Sequence, residues 1–114
     1  MTKTRSRRGR PSSDPLRVWG TSLVDLGDSR LTLRAPVNVS LEDYGDDDYV
    51  ASWPEIEAWG GGATEADAIN RLKDEVVAIY DELSTTPDAK LGKLPRRWKR
   101  SLYAVVQASG GLAR

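Results

Sequence analysis

The amino-acid sequence predicts an α+β domain: a small antiparallel sheet of three to five strands packed against one long helix, plus a C-terminal helix. Two patterns favour this fold. Apolar and polar residues alternate between positions 31 and 41, and apolar residues recur at three- and four-residue intervals between positions 69 and 83. The chain has 114 residues, enough for one such domain with tails. We divide it into a tail (1–15), an α+β domain (16–84) and a loop with a basic C-terminal helix (85–114).

The first predicted strand follows a basic tail. Residues 1–15 contain no bulky apolar side chain after Met1. They cannot bury enough surface to offset chain entropy, so we expect them to be disordered. Apolar residues then predict a strand between Leu16 and Leu26, which the turn signal Gly27-Asp28-Ser29 ends.

The alternating segment predicts one long strand with a single buried face. Pro36 supplies no backbone donor, so it marks an edge or a bulge there. An acidic turn at 42–48 leads to a return strand at 49–53. Residues 56–62 predict a third strand, in which Gly60-Gly61-Gly62 allows a tight bend. The apolar residues on the buried face of the long strand are Leu31, Leu33, Val37, Val39 and Leu41.

Residues 64–83 predict the long helix. Thr64 is placed to cap it, and Asp67 follows three residues later as in a capping box. A second helix begins at Pro95, a residue favoured in a first helical turn, and Gly110-Gly111 ends it. The apolar stripe of the long helix consists of Ile69, Leu72, Val76, Tyr80 and Leu83, and that of the second helix of Trp98, Leu102, Val105 and Val106.

The composition disfavours catalysis. The chain has no cysteine and no histidine, which excludes disulfides, thiolate nucleophiles, imidazole bases and cysteine- or histidine-based metal sites. No apolar run approaches the ~20 residues that span a bilayer, and the basic N-terminus lacks the apolar stretch of a secretory signal. We therefore expect a non-enzymatic cytoplasmic protein without cofactors or a membrane association.

The formal net charge of zero conceals three blocks: about +5 over residues 1–17, −12 over 18–89 and +7 over 90–114. Basic ends favour contact with nucleic acid, and the acidic body favours a basic partner. A solubilising tail and a solvated helix face would explain the same charges. The candidate nucleic-acid-binding residues are Arg5, Arg7, Arg8, Arg10, Arg96, Arg97, Lys99 and Arg100.

Three motifs have competing interpretations. The five carboxylates within residues 42–48 fit a solvated turn better than a metal site, because the spacing lacks the pattern of a calcium loop. The glycine run matches no phosphate-binding motif. Arg8-Gly9-Arg10-Pro11 resembles an AT-hook, an arm that enters the minor groove of AT-rich DNA. A generic basic tail remains the alternative.

Trp53 and Trp59 lie on either side of a short Pro-Glu segment. Tryptophan is typical of partner-binding hot spots, but in a chain without phenylalanine it must also supply core volume. We predict that one of the two lies in the core and the other on the surface. The candidate partner-binding residues are Tyr49, Trp53, Glu55 and Trp59.

The segment 48–73 resembles the HicB antitoxin family. That family has a strand ending in Tyr-Val-Ala, then Pro-Glu-Leu, a glycine-rich turn and a Thr-x-x-Glu-Ala helix start. The corresponding residues here are Tyr49-Val50-Ala51, Pro54-Glu55-Ile56, Thr64 and Ala68. The resemblance covers about residues 37–84.

This resemblance implies a degenerate, non-catalytic RNase-H-like domain that blocks a small basic ribonuclease toxin of the HicA type, usually as a homodimer or higher oligomer. Many members repress their own operon through a C-terminal DNA-binding module. Residues 85–114 are too short for that module, and residues 16–35 look like an added N-terminal hairpin. The expected function is therefore a HicB-like antitoxin or interaction module with basic ends that bind nucleic acid.

Two alternatives differ in kind. One is a stand-alone DNA-binding protein with no toxin partner. The other is a magnesium-dependent nuclease using carboxylates such as Asp25, Asp43 and Asp48. The nuclease is disfavoured because residues 31–41 contain no acid where such a site would place one.

Overall fold

In a computed structural model, which describes residues 14–108, the predicted strands precede the long helix and the C-terminal helix, and a short strand that was not predicted follows them. The fold is α+β, as predicted, with a four-stranded antiparallel sheet, a second small sheet and two helices. Single 3₁₀ turns occupy Pro54–Ile56 and Asp88–Lys90. The elements are β1 (Arg17–Leu23), β2 (Leu31–Leu33), β3 (Val37–Asp43), β4 (Tyr49–Trp53), β5 (Ala58–Gly62), α1 (Glu65–Thr85), α2 (Lys93–Val105) and β6 (Val106–Ala108).

The main sheet has the order β1-β3-β4-β5, and every neighbouring pair is antiparallel. The register aligns Leu41 of β3 with Ala51 of β4, and Ala51 with Gly60 of β5. Side chains alternate across a sheet, so the odd positions of β1, β3 and β4 face α1 and the even positions face outward. The core lies between the odd face and α1; its members include Leu23, Val37, Val39, Leu41, Trp53, Leu72 and Val76.

The single long strand predicted over residues 31–41 is wrong. The chain breaks at Pro36 into β2 and β3, which belong to different sheets. β2 pairs with β6 instead, and the backbone N–H of Arg34 donates to the Val105 carbonyl at 2.8 Å. Proline lacks the donor that a continuous ladder needs, so the chain turns away there rather than forming a bulge.

The predicted hairpin within residues 16–35 is also wrong. β1 ends at Leu23 and pairs with β3 of the same chain across a long connection. Leu26 lies beyond the strand yet is only 2% exposed, since the connection turns it into the core. The pairing partner of β1 is therefore distant in sequence, which local patterns do not reveal.

The glycine run of β5 forms strand rather than the predicted bend. A β-carbon on Gly60 would lie 2.6 Å from the carbonyl carbon of Arg71, and one on Gly62 would lie 2.8 Å from the nitrogen of Ala68. Both glycines are needed because α1 passes directly over them. The strand starts at Ala58 rather than residue 56, because residues 54–56 form a 3₁₀ turn and Glu57 adopts φ of 56°.

Helix α1 confirms the long-helix prediction. The Thr64 hydroxyl accepts a 3.0 Å hydrogen bond from the backbone of Asp67, which caps the first turn. The buried residues of the helix are Ala68, Leu72, Val76 and Leu83, while the predicted stripe members Ile69 and Tyr80 are half-buried at its border. Ala68, which the predicted stripe did not include, is fully buried where α1 passes over Gly62 of β5.

Helix α2 begins at Lys93, two residues before the predicted start, and ends at Val105. Val106 then enters β6, a strand that the sequence did not predict, and is 3% exposed. The predicted stop at Gly110-Gly111 and the first thirteen residues of the predicted tail lie outside the described residues. Within the described part, no helix is long and apolar enough to cross a membrane.

The close contact between β5 and α1 leads to a stability prediction. Gly60→Ala forces a methyl group into the α1 backbone and is expected to lower the free energy of unfolding by about 1–3 kcal/mol. Gly20→Ala is the matched control, since its β-carbon would meet only the Val39 carbonyl oxygen, at 3.8 Å. Urea unfolding of both variants measures the difference; equal midpoints would contradict the packing described.

Candidate functional site

The outward face of the main sheet contains a groove of about 540 Å³, which we call the acidic groove. It runs from β3 across β4 to the start of β5, and its carboxylates come from Glu42 and Glu57. Among the described residues, no lysine or arginine lines it. The lining residues are Glu42, Tyr44, Val50, Ser52, Pro54, Glu57, Ala58 and Trp59.

The strand register places the walls of the acidic groove. Glu42 pairs with Val50, and Ser52 pairs with Trp59, so all four side chains are on the outward face. Val50 is only 1% exposed although it faces away from α1. The lining therefore combines apolar, aromatic and acidic side chains.

Two turns hold the ends of the groove. After β3, Gly45, Asp46 and Asp47 all adopt positive φ, and the Tyr44 N–H donates to the Asp48 carbonyl at 2.8 Å. This turn positions the Tyr44 hydroxyl to donate to Glu42 Oε1 at 2.8 Å. At the other end, the backbone N–H of Glu57 donates to the Pro54 carbonyl at 3.0 Å. A hydrogen bond therefore holds the Glu42 carboxylate directly, and another fixes the backbone from which the Glu57 side chain extends.

The four predicted partner-binding residues do not form one surface. Trp53 is 4% exposed and lies in the core, whereas Trp59 is half-buried on the outward face, so the predicted division between core and surface is confirmed. Tyr49 packs against the core from the α1 side. Glu55 is exposed, and its Oε2 accepts a 3.1 Å hydrogen bond from the Ser101 hydroxyl. We therefore leave Tyr49 and Trp53 out of the candidate surface.

The sequence interpretation missed Tyr44, Ser52 and Glu57 as neighbours of Trp59. The alternation of side chains along a strand could have located part of this set, because it puts Glu42, Ser52 and Trp59 on the face opposite the apolar positions. Glu57 was not placed there because its left-handed conformation shifts the phase between the 3₁₀ turn and β5.

The second candidate surface is the outward side of α2, which we call the basic face: Lys93, Arg96, Arg97 and Arg100. At 100° per residue these four side chains fall within about 100° of each other, opposite the buried Leu102. The helix contains no aspartate or glutamate. Its cations therefore repel each other and favour an anionic partner.

A cleft of about 400 Å³ adjoins the basic face. Lys99 at its edge donates to Asp88 Oδ1 at 2.6 Å, and its ammonium lies 5.5 Å from the centre of the Tyr103 ring. The hydrogen bond to Asp88 raises the pKa of Lys99, and the hydrogen bond from Lys99 lowers the pKa of Asp88. Arg96 Nε donates to the Leu91 carbonyl. The cleft is lined by Asp88, Arg96, Lys99, Arg100 and Tyr103.

The basic ends are neutralised only in part by the acidic body. Arg17 pairs with Asp43 at 3.1 Å and Lys99 pairs with Asp88, so Lys99 is the one predicted nucleic-acid residue held by a carboxylate in the described region. Arg97 and Arg100 are exposed and make no ion pair within residues 14–108. Arg5, Arg7, Arg8 and Arg10 lie outside the described residues.

The acidic turn itself holds no arrangement suited to a metal. Within residues 14–108 no group of three or more carboxylates is placed to hold a metal ion. Asp43 is instead used structurally, since its Oδ1 accepts the Gly45 N–H at 2.9 Å and its Oδ2 accepts from Arg17.

Comparison with known proteins adds no assignment: no family model, no curated protein and no solved structure matches the chain. The two surfaces must therefore be interpreted from their own chemistry.

The contacts of Asp43 predict its titration. The Gly45 N–H, and secondarily Arg17, lower its pKa below the ordinary value of 3.8. Stability from this group is present above pH about 4 and is lost as the pH falls through the lowered pKa. In Arg17→Ala the pKa should rise yet stay below 3.8, because the Gly45 contact remains. Carboxyl NMR titration measures both values; an unchanged pKa in the variant would contradict this assignment.

Proposed function

We propose that the chain is a non-catalytic, HicB-like antitoxin or interaction module. It binds a small basic toxin-like protein through the acidic groove and nucleic acid through its basic ends. The observation that carries the proposal is the separation of charge on the fold. The acidic groove lies on the outward face of the sheet, and the basic face lies on a helix that contains no acid.

The order of elements supports the antitoxin part of the proposal. The segment that resembles the HicB family folds as strand β3, an acidic turn, strand β4, strand β5 and helix α1. The glycines of the motif lie under α1, and Thr64 caps it. The residues that carry the resemblance thus have structural roles in one continuous unit.

The chemistry of the acidic groove suits a basic side chain. Glu42 and Glu57 contribute carboxylate oxygens, and Tyr44 and Trp59 contribute aromatic rings. A guanidinium or ammonium group gains from both, through charge-assisted hydrogen bonds and cation–π contact.

The basic face suits a phosphate backbone. Arg97 and Arg100 are exposed and unpaired among the described residues, so they can form ion pairs with phosphate without breaking an existing bond. Tyr103, 42% exposed beside the neighbouring cleft, offers a ring for stacking. This surface also favours the second candidate function, a DNA-binding protein that has no toxin partner.

Strand β1 supports the expected homodimer. Within residues 14–108 no strand covers its outer edge. Three large apolar side chains are exposed in β1 or directly beside its ends: Leu16 (71%), Val18 (57%) and Val24 (69%). Edge strands are usually protected by charge or proline, and pairing with a second copy would provide that protection here.

The partner-binding part is tested by reversing one charge in the acidic groove. Glu57→Lys should weaken binding of the small basic protein encoded by a neighbouring reading frame at least about tenfold, because a like charge in the interface is repulsive. Glu82→Lys changes net charge equally on the exposed side of α1 and should bind as the wild type does. Calorimetric titration measures both; absence of any copurifying basic protein, or equal loss in both variants, would reject the antitoxin.

The nucleic-acid part is tested on the basic face. Replacing Arg97 and Arg100 with alanine should lower affinity for duplex DNA and reduce the log–log salt slope by about 1.8, or about 0.9 for each lost phosphate contact. Arg71→Ala removes an exposed cation from α1 and serves as the control. Fluorescence anisotropy at several salt concentrations gives both slopes; identical slopes in all proteins would exclude the basic face.

A further inference from the structure

The spacing and the lining of the acidic groove suit an arginine side chain. Glu42 belongs to β3 and Trp59 to β5, so the two walls lie two strand spacings apart, about 10 Å. A guanidinium is planar, donates five hydrogen bonds and stacks on aromatic rings. The chain already contains one such stack, in which the Arg17 guanidinium lies 4.6 Å from the centre of the Trp19 ring.

The N-terminal end of β1 lies at the same end of the sheet as this groove. The backbone N–H of Leu16 donates to the Asp43 carbonyl at 2.6 Å, and its side chain lies against Gly45. Val18, the next outward-facing residue of β1, is aligned with Glu42. The chain that precedes Leu16 is therefore attached beside Glu42 and Tyr44.

The preceding segment has the complementary charge and sufficient length. Residues 5–10 read Arg-Ser-Arg-Arg-Gly-Arg and contain no acid. Arg10 precedes Leu16 by six residues and Arg7 precedes it by nine, which corresponds to about 20–30 Å of extended chain. This exceeds the width of the acidic groove, so several of these arginines can reach it.

We propose that the basic segment of residues 5–10 occupies the acidic groove of its own chain, where it competes with any basic ligand that arrives from solution. This regulates the site of the proposed function, but it requires neither a toxin-like partner nor DNA. A tether of this length gives an effective concentration on the order of 1 mM.

The occupancy has a consequence for the two proposed ligands. Nucleic acid that binds residues 5–10 removes them from the acidic groove and opens it, and a basic protein in the groove releases the segment toward nucleic acid. The two ligands would thus assist each other by reciprocal linkage. The basic face of α2 takes no part in this exchange.

A spin label on the segment tests the proposal in the full-length chain. The chain has no cysteine, so Ser6→Cys provides a single attachment site. The label should broaden the NMR signals of Ser52, Glu57 and Trp59 more strongly than those of Lys93 and Arg97, which lie on the basic face. Unlabelled hexa-arginine peptide at millimolar concentration should restore the broadened signals.

Matched charge variants distinguish binding in the acidic groove from non-specific electrostatic attraction of the segment to the acidic body. Glu42→Gln with Glu57→Gln should abolish the broadening. Asp46→Asn with Asp47→Asn removes the same charge from the nearby turn, outside the groove lining, and should retain it. Asparagine tolerates the positive φ of those two positions.

Three results would overturn the proposal: no selective broadening at the groove, equal loss in both double variants, or equally strong broadening when spin-labelled chains are mixed with isotope-labelled, spin-free chains. The last result would assign the segment to a second copy. Amide spectra of each variant with the label reduced establish that the fold is intact. A failure here leaves the two tests of the proposed function unaffected, since they use other ligands.

Discussion

The approach of α1 to β5 is the constraint on which the rest of the fold depends. Gly60 and Gly62 leave no side chain between strand and helix, and Ala68 adds only a methyl group. The helix can therefore lie directly on the strand and place Leu72 and Val76 in the core. Because side chains alternate along β5, the same arrangement turns Trp59 to the opposite face of the sheet. The close approach of α1 to β5 therefore determines both the packing of the core and the position of the aromatic wall of the acidic groove.

Charge is distributed by the same geometry. The sheet has one face covered by α1 and one face open, and the open face receives Glu42, Ser52 and Trp59 at the alternate positions. Helix α2 is anchored through the buried Leu102, and Val106 of β6 is buried directly after its end, so the cations of α2 are directed away from the core. Within residues 14–108, five ion pairs tie surface arginines and lysines to carboxylates outside the acidic groove and the basic face: Arg17–Asp43, Arg30–Asp28, Arg30–Asp81, Lys73–Asp25 and Lys99–Asp88. Exposed pairs of this kind add little stability, and they leave both surfaces their net charge.

Much of the local structure could be predicted, because it depends on neighbours in sequence. The bounds of β4, the cap at Thr64 and the course of α1 follow from turn residues and from a helical period. The division of Trp53 and Trp59 between core and surface follows from the need for core volume. The groove was predicted only in part. Trp59 was named correctly, but Tyr49 and Trp53 face α1. Glu57 lines the groove because it adopts a left-handed backbone conformation itself, which the alternation of side chains along a strand does not predict.

The sequence by itself determined the fold class, the strand–turn–strand–helix unit and the three charge blocks, because each rests on local periodicity, turn chemistry or plain counting. Only the tertiary structure decided that β1 pairs with β3, that β2 leaves the main sheet at Pro36 to pair with β6, and that acid and aromatic side chains meet on one open face. Those outcomes depend on contacts between residues far apart in the chain. Such contacts are selected by how well the apolar side chains of all the elements are buried together, and no single segment carries that information.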